Sequence, residues 1–318
     1  MNEPKIAIVG AGVSGLSCGV LVAEAGYGAT IFADQLGQQT TSAAAGAIWF
    51  PYDAEPLEAV IAWSLTTFRR LCELASEAAN GVSMMELRQF ARGGEVPLPS
   101  WSHSLGARVL PRNHVPECFA SGYTLTVPLT DTTVYLDYLR KRFDCSGGTV
   151  HETHLENLED IPPDYAVVIN CAGIGARELA QDSALEPHRG QVVLVENPDL
   201  PYAVVSDDPP LMYAIPRRDD CVFGGTNELS GNRAVDPEET TRILHECCRV
   251  LGIASPRVLG ERVGLRPYRA SGVRLAREQL RDGRVVIHNY GHGGSGFTLS
   301  WGCAEEVLAL ARAAIAGR

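Results

Sequence analysis

The sequence predicts an α/β protein in which a Rossmann-type dinucleotide-binding domain is joined to a second, mainly antiparallel-sheet domain. Three observations carry this reading. A short apolar strand, Ile6-Ala7-Ile8-Val9, runs straight into Gly10-Ala11-Gly12-Val13-Ser14-Gly15. A second strand, Ala29–Ala33, ends on Asp34 and completes a βαβ opening. Further along, Tyr213–Pro216 and Cys221–Gly224 flank Arg217-Arg218-Asp219-Asp220, the mark of an antiparallel hairpin.

The elements follow in order. Lys5 opens the first strand; after the glycines, Leu16, Val20 and Leu21 recur at helical spacing until Gly26 stops the helix. Residues 35–50, rich in Gln, Thr and Ala, are expected as a loop ending at Trp49-Phe50-Pro51, with a helix from about Pro56 to Ala79. Residues 91–130 carry many Pro, Gly and Ser and read as short strands and turns. Asp131 or Thr132 caps a helix whose face is Val134, Tyr135, Tyr138 and Leu139. Strands are expected at Thr149–Glu152, Tyr165–Asn170, Gln191–Val195 and Tyr202–Val205, then a helix over Pro237–Leu251. A buried strand, Arg284–Asn289, precedes a glycine turn and a long helix over Thr298–Ile315.

Composition narrows the function. The 318 residues are 45% hydrophobic and 20% charged, so the chain folds as a globular protein, and its length suits two domains. A net charge of −11 leaves no basic surface for nucleic acid. No apolar run reaches the ~18–20 residues of a membrane span. The only lysines are Lys5 and Lys141, neither placed to form an aldimine, and no Gly-Lys-Ser/Thr phosphate loop occurs. Nine cysteines, an odd count without a CxxC pair or a secretory leader, fit reduced thiols in a cytoplasmic protein. The adjacent Cys247 and Cys248 read as packing residues. His151 and His154 lack metal-ligand spacing, so no metal site is expected.

Two glycine turns carry the chemistry. In the first, Gly10 makes the tight turn, Gly12 lets backbone approach a pyrophosphate, and Gly15 allows close helix–strand packing. The helix that starts at Val13 and Ser14 offers free amides and a positive dipole end, and Asp34 can accept from a ribose hydroxyl. In the second, His288-Asn289-Tyr290-Gly291-His292-Gly293-Gly294-Ser295-Gly296-Phe297-Thr298 ends a strand and opens the last helix. Its N-terminus suits a flavin edge that becomes negative on reduction.

With these motifs in place, the chain resembles the FAD-dependent D-amino-acid oxidases, the family that also contains the D-aspartate oxidases. The matching pieces run in the family's order over nearly the full length. They are Gly10–Gly15, Asp34, Thr40-Thr41, Ala44-Ala45-Gly46, Asn170-Cys171-Ala172-Gly173, Arg189-Gly190-Gln191, Tyr213-Ala214-Ile215-Pro216, Gly224-Gly225-Thr226, Gly264-Leu265-Arg266-Pro267, Val273–Glu278 and His288–Gly294.

The resemblance implies FAD as cofactor, held by Gly10, Gly12, Val13, Ser14, Gly15, Asp34, Thr40, Thr41, Ala45, Gly46, Leu155, Cys171, Ala172, Gly173 and Gly293 through Thr298, with Ser295, Gly296 and Phe297 among them. It implies Arg274 and Tyr213 as partners of the substrate carboxylate, and the Gly294 carbonyl as acceptor for the amine. It further implies an FAD-binding domain of residues 1–50, 128–190 and 264–318, and a substrate-binding domain of 51–127 and 191–263.

The chain departs from the mammalian pattern at Pro209 and Ser295, both tyrosines there, and the Ser206–Met212 segment is too short for a mobile lid. Trp49 and Phe50 are expected to restore an apolar wall, with Asp207 and Asp208 repelling anionic side chains. The expected activity is oxidation of neutral D-amino acids by hydride transfer from Cα to the flavin N5. The products are an imino acid, then a 2-oxo acid and ammonia, with O2 reduced to H2O2. The alternatives are an oxidase of glycine, sarcosine or acidic D-amino acids, for which Arg217, Arg218, Arg266 or Arg269 would supply a second cation; a flavin-binding protein without turnover; and a nicotinamide dehydrogenase. No nucleic-acid or membrane partner is expected, and a homodimer is compatible with everything above.

Overall fold

The computed structural model describes residues 4–52 and 54–317. β1 (Lys5–Val9), α1 (Val13–Glu24) and β2 (Gly28–Ala33) form the opening βαβ unit, with β1 and β2 parallel from Lys5 opposite Gly28 to Val9 opposite Phe32. The loop after β2 contains two 3-10 turns, Gly37–Gln39 and Thr41–Ala44. α2 (Leu57–Ala75) ends four residues earlier than expected, closed by Ser76. β3 (Val82–Ala91) was not expected, whereas β4 (Arg108–Val109) and β5 (Ser121–Thr130) fall in the stretch that reads as strands and turns.

Asp131 caps α3 (Thr132–Cys145), accepting from the Thr133 amide at 3.0 Å. The buried face of α3 is Tyr135, Leu136, Leu139 and Phe143, whereas Val134 and Tyr138 are only half-buried, so the face is rotated from the one expected. Then come β6 (Thr149–Glu152), β7 (Tyr165–Asn170), the single turn α4 (Ala176–Leu179) and β8 (Leu185–Val195). β9 (Ala203–Ser206), the β10 (Met212–Pro216) and β11 (Cys221–Gly224) hairpin, and β12 (Glu228–Leu229) follow. α5 (Pro237–Leu251) is capped by Asp236 and stopped by Gly252. The chain finishes with β13 (Val258–Arg269), β14 (Arg274–Gln279), β15 (Val285–Tyr290) and α6 (Gly296–Ala316).

These strands make two sheets. The first runs β14-β15-β7-β1-β2-β6 and is parallel except for β14. Its central strands are apolar and buried on both faces, as parallel strands must be when both faces are covered. α1, α3 and α6 pack on one face, and Leu158, Ile161 and Tyr165 close the other. α2 lies against α6, where the Thr67 hydroxyl accepts from the Gly302 amide at 2.9 Å. The second sheet runs β12-β8-β11-β10-β9-β3-β5-β4, with β13 also paired to β8, and is antiparallel except for β3 beside β9.

The boundaries expected at 127/128, 190/191 and 263/264 fall inside β5, β8 and β13, strands that continue unbroken across them. Among the described residues no helix is long and apolar enough to cross a membrane.

Candidate active site

Every parallel strand of the first sheet that ends near its centre releases a loop at the same edge: Gly10 after β1, Asp34 after β2, Cys171 after β7 and Gly291 after β15. Such an edge is where open α/β sheets bind ligands. Here a deep cleft starts at that edge and runs on to the second sheet, where Gly190, Val192, Val205, Tyr213, Ile215 and Arg266 line it.

The dinucleotide end is built by close approach. Gly10 has φ +103°, and a Cβ there would lie 2.5 Å from the Cys171 carbonyl oxygen. A Cβ on Gly15 would lie 1.9 Å from the Gly10 oxygen. Only glycine permits either. Gly12 precedes the first residue of α1 without a side-chain cap, and the Val13 amide donates to the Ser42 hydroxyl at 2.9 Å. Ser42 lines the cleft and escaped the sequence reading. Asp34 stands exposed at the rim with its carboxylate 3.5 Å from His154 Nδ1.

Asn289 ties the two glycine turns together. Its amide donates to the Ser14 hydroxyl at 3.0 Å, and its oxygen pairs with His292 Nε2 at 3.0 Å. His292 is buried, and burial alone lowers its pKa to about 4, so its ring stays neutral and donates to Asn289. The Asn289 amide also reaches the buried thiols of Cys18 and Cys171.

At the other end, the first turn of α6 grips the 50–52 segment. The Thr298 hydroxyl accepts from the Phe50 amide at 3.1 Å and donates to its carbonyl at 3.0 Å. Ser295 does the same for Tyr52, accepting from its amide at 2.8 Å and donating to its carbonyl. This presents Tyr52 to the cleft with its ring against Gly294, where a Cβ would lie 2.6 Å away. Tyr213 faces Arg266 across the same space, and the guanidinium donates to the Thr226 carbonyl at 2.8 Å. Burial pushes the Tyr213 hydroxyl up, with the Arg266 charge acting against it. The tyrosine is therefore protonated and a donor. A Cβ on Gly190 would meet the Arg266 guanidinium at 2.4 Å, so glycine leaves room for that arginine. Ile48, Phe50, Val205, Leu211 and Ile215 supply an apolar wall, and Asp207 lies beside Leu211 at its end.

Several expectations are corrected by these placements. Arg274 does not line the cleft. It sits on β14, where its guanidinium donates to Asp182 at 3.3 Å, to the Tyr290 hydroxyl at 2.6 Å and to Glu278 at 2.5 Å. Two carboxylates thus hold it in an ion cluster. Arg266, which the sequence suggests only as a second cation, takes the cleft position expected for Arg274. Trp49 is buried in the core, edge-on to Phe68 and Trp101, and forms no wall; Phe50 does. Asp208 turns to the Arg92 amide, at 2.6 Å, and only Asp207 lines the cleft. Leu155 packs under the first sheet, and neither it nor Ser295 contributes to the lining. Arg217, Arg218 and Arg269 are engaged by Asp220, Asp219 and Asp182.

The other expected residues do line one continuous cleft: Gly10, Gly12, Val13, Ser14, Asp34, Thr40, Thr41, Ala45, Gly46, Cys171, Ala172, Gly173, Gly293, Gly294, Gly296, Phe297, Thr298 and Tyr213, with Gly15 packed directly behind Gly10. A pyrophosphate-accepting turn at one end and an apolar chamber with an arginine and two tyrosines at the other fit a flavin dinucleotide between them.

Comparison with known proteins agrees. The family described as FAD dependent oxidoreductase matches residues 5–310. A D-amino-acid oxidase of Rubrobacter xylanophilus is 40% identical, over 98% of this chain and 97% of that protein. A human D-aspartate oxidase is 34% identical over 98% and 95%. Among solved structures, a glycine oxidase from Geobacillus kaustophilus superposes with TM-score 0.83 at 17% identity, covering 98% of this chain and 95% of that one.

Proposed function

The chain belongs to the FAD dependent oxidoreductase family, among its D-amino-acid oxidases, and from that premise we propose how it holds and selects its substrate. It oxidises a D-amino acid to the imino acid, which water converts to a 2-oxo acid and ammonia. Bound FAD supplies the two-electron acceptor for the Cα hydride and passes the pair to O2, giving H2O2. The first-turn amides of α1 and the rim carboxylate of Asp34 hold the dinucleotide, and the α6 turn holds its other end.

One observation carries the substrate reading: Arg266 and the protonated Tyr213 meet beside Gly294 at the end of the cleft. Arg266 offers a planar, permanently charged fork to a carboxylate, and Tyr213 adds a second donor. The Gly294 carbonyl is the acceptor for the amine. The work asked of these residues is orientation, which is where most of such a rate advantage lies.

The apolar wall of Ile48, Phe50, Val205, Leu211 and Ile215, closed by the Asp207 carboxylate, favours neutral side chains over anionic ones. Nine unpaired thiols suit a reducing, cytoplasmic setting. A peroxide assay across D- and L-amino acids, glycine and sarcosine tests the proposal. Neutral D-amino acids are expected to exceed D-aspartate and D-glutamate in kcat/KM by at least about tenfold, roughly 1.4 kcal/mol. A preference for D-aspartate, or for glycine and sarcosine, overturns it.

A further inference from the structure

The two groups that would hold a substrate come from different sheets. Arg266 lies on β13 of the second sheet, whereas the turn that carries Gly294 leaves β15 of the first. A substrate's carboxylate and amine are a fixed distance apart, so Arg266 and the Gly294 carbonyl must keep a matching separation. One backbone bond ties them directly: the Gly293 amide donates to the Pro267 carbonyl at 2.9 Å.

A second tie stands at the start of that turn and is built on Asp182. This residue lies between α4 and β8, is buried, and does not line the cleft. Its Oδ1 accepts from the Ala184 amide at 3.2 Å, which fixes the carboxylate to its own turn. Its Oδ2 accepts from Arg269 Nε at 2.9 Å and from the Tyr290 hydroxyl at 2.9 Å. Arg269 ends β13 three residues after Arg266, and Tyr290 ends β15 just before Gly291. One carboxylate thus joins the ends of both strands. The two strands pass closely there: Gly291 has φ +84°, and a Cβ on it would lie 3.1 Å from the Arg269 Cβ.

Charge holds this tie. Burial acts to raise the Asp182 carboxyl, but the hydrogen bonds from Tyr290 and Arg269 outweigh it and keep the carboxyl below its ordinary range. Arg274 also reaches Asp182, at 3.3 Å, yet it has Glu278 as a second partner. Among the described residues, the ion pair of Arg269 is with Asp182 alone. Removing that one charge leaves a mostly buried guanidinium uncompensated, which its strand must move to relieve.

We propose that Asp182 is a positioning residue for the oxidation: it locks the β13 end to the Tyr290–Gly294 turn and so sets Arg266 at the working distance from Gly294 and the flavin. Arg266 can still grip a carboxylate when the lock is loosened, but the Cα–H bond is no longer aimed. This rests on the D-amino-acid oxidase reading above and assigns a further residue to the same site.

The test uses the FAD-loaded enzyme with D-norvaline and with pentanoate, the same chain without its amine. Two quantities are read: the rate at which D-norvaline bleaches the flavin without O2, and the dissociation constant of pentanoate from the change it causes in the flavin spectrum. In D182N the bleaching rate is expected to fall by about tenfold or more, while the pentanoate constant stays within about threefold of wild type. A merely structural role would lower FAD retention or stability and leave the rate of the folded, loaded fraction alone. A bleaching rate within about threefold of wild type overturns the proposal, and so does a pentanoate affinity that falls as far as the rate. Where D182N does not hold FAD, Tyr290→Phe decides, since it removes one bond of the lock and keeps the ring: a slower rate with unchanged pentanoate binding supports the proposal, and a wild-type rate overturns it. A wild-type enzyme whose flavin no D-amino acid bleaches defeats the oxidase reading itself, and this proposal with it.

Discussion

Arg266 and Arg274 have the same side chain and opposite situations. Arg266 lines the cleft beside the half-buried Tyr213, while Arg274 is held by Asp182 and Glu278 outside it. Arg266→Lys should therefore cost on the order of 1.5–3 kcal/mol of transition-state binding, since a point ammonium cannot form the planar fork. Arg274→Lys should move kcat/KM by less than about threefold and show its effect in stability alone. Steady-state kinetics of the two variants on one D-amino acid decide between them, and equal losses would return Arg274 to the site. Gly190→Ala should behave like a mild Arg266 variant, because its methyl would lie 2.4 Å from that guanidinium. The two buried histidines near the site give a pH signature. Burial, together with the Arg274 charge for His288, holds both pKa values at about 4. The unfolded chain protonates its histidines near 6.5, so between about pH 6.5 and 4 it binds more protons than the folded protein. Their stabilising effect is complete above that window and is lost as pH falls through it, by up to about 1.4 kcal/mol per pH unit per histidine. Denaturant unfolding at pH 7, 6 and 5 should show the decline. His292→Gln, which keeps a donor for Asn289, should make it shallower and leave the His288 share.

The last helix does more than close the first sheet, because its opening turn fixes the backbone of residues 50 and 52. Thr298→Val leaves the Phe50 amide and carbonyl without the hydroxyl that serves both, at about 1–3 kcal/mol. Ser295→Ala should release Tyr52 in the same way. Unfolding of both variants, read beside their FAD retention, checks this; wild-type values in both measurements would show that the grip is idle. This grip was not readable from the sequence, where Ser295 and Thr298 stood as expected cofactor contacts, Ser295 also as an altered pocket residue, and Tyr52 did not stand out. Elements with a strong local signal were legible: β1, α1 and β2 from the glycine turn, β10 and β11 from the charged hairpin, and α5 as the helix Pro237–Leu251. β3 and β13 were not. Their residues do not alternate cleanly, with Ser83 and Met84 both exposed in β3 and Val258 and Leu259 both exposed in β13, so period-two patterning fails there. The site was legible where backbone makes it, as at Gly10, Gly12 and Cys171. It was misread where a side chain chooses between neighbours. Two arginines eight residues apart, on strands consecutive in the chain but in different sheets, look equally available in a sequence. Only packing shows that Asp182 and Glu278 claim one of them and leave the other to the cleft.

The cleft draws on both sheets at once: Gly10, Asp34, Cys171 and Gly293 come from the edge of the first, and Gly190, Val205, Tyr213 and Arg266 from the second. A ligand that fills it touches both, and a ligand that binds the folded chain alone stabilises it by mass action. At a free concentration of about a thousand times Kd, that contribution is about 4 kcal/mol. Stripping FAD should therefore lower the denaturant midpoint markedly, and adding it back should raise the midpoint with the logarithm of its concentration once the site is saturated. FMN discriminates between the two ends of the cleft. It lacks the adenosine ribose that Asp34 would accept from and the pyrophosphate that the α1 amides would meet, so it should restore much less of the midpoint at equal concentration. Asp34→Ala should narrow the gap between the two flavins by weakening FAD while leaving FMN alone. Equal recovery with FMN and FAD would place the binding energy at the Tyr213–Arg266 end and deny the glycine turn its role. Identical midpoints for the stripped and loaded protein would mean that the cleft does not bind the flavin in the folded chain.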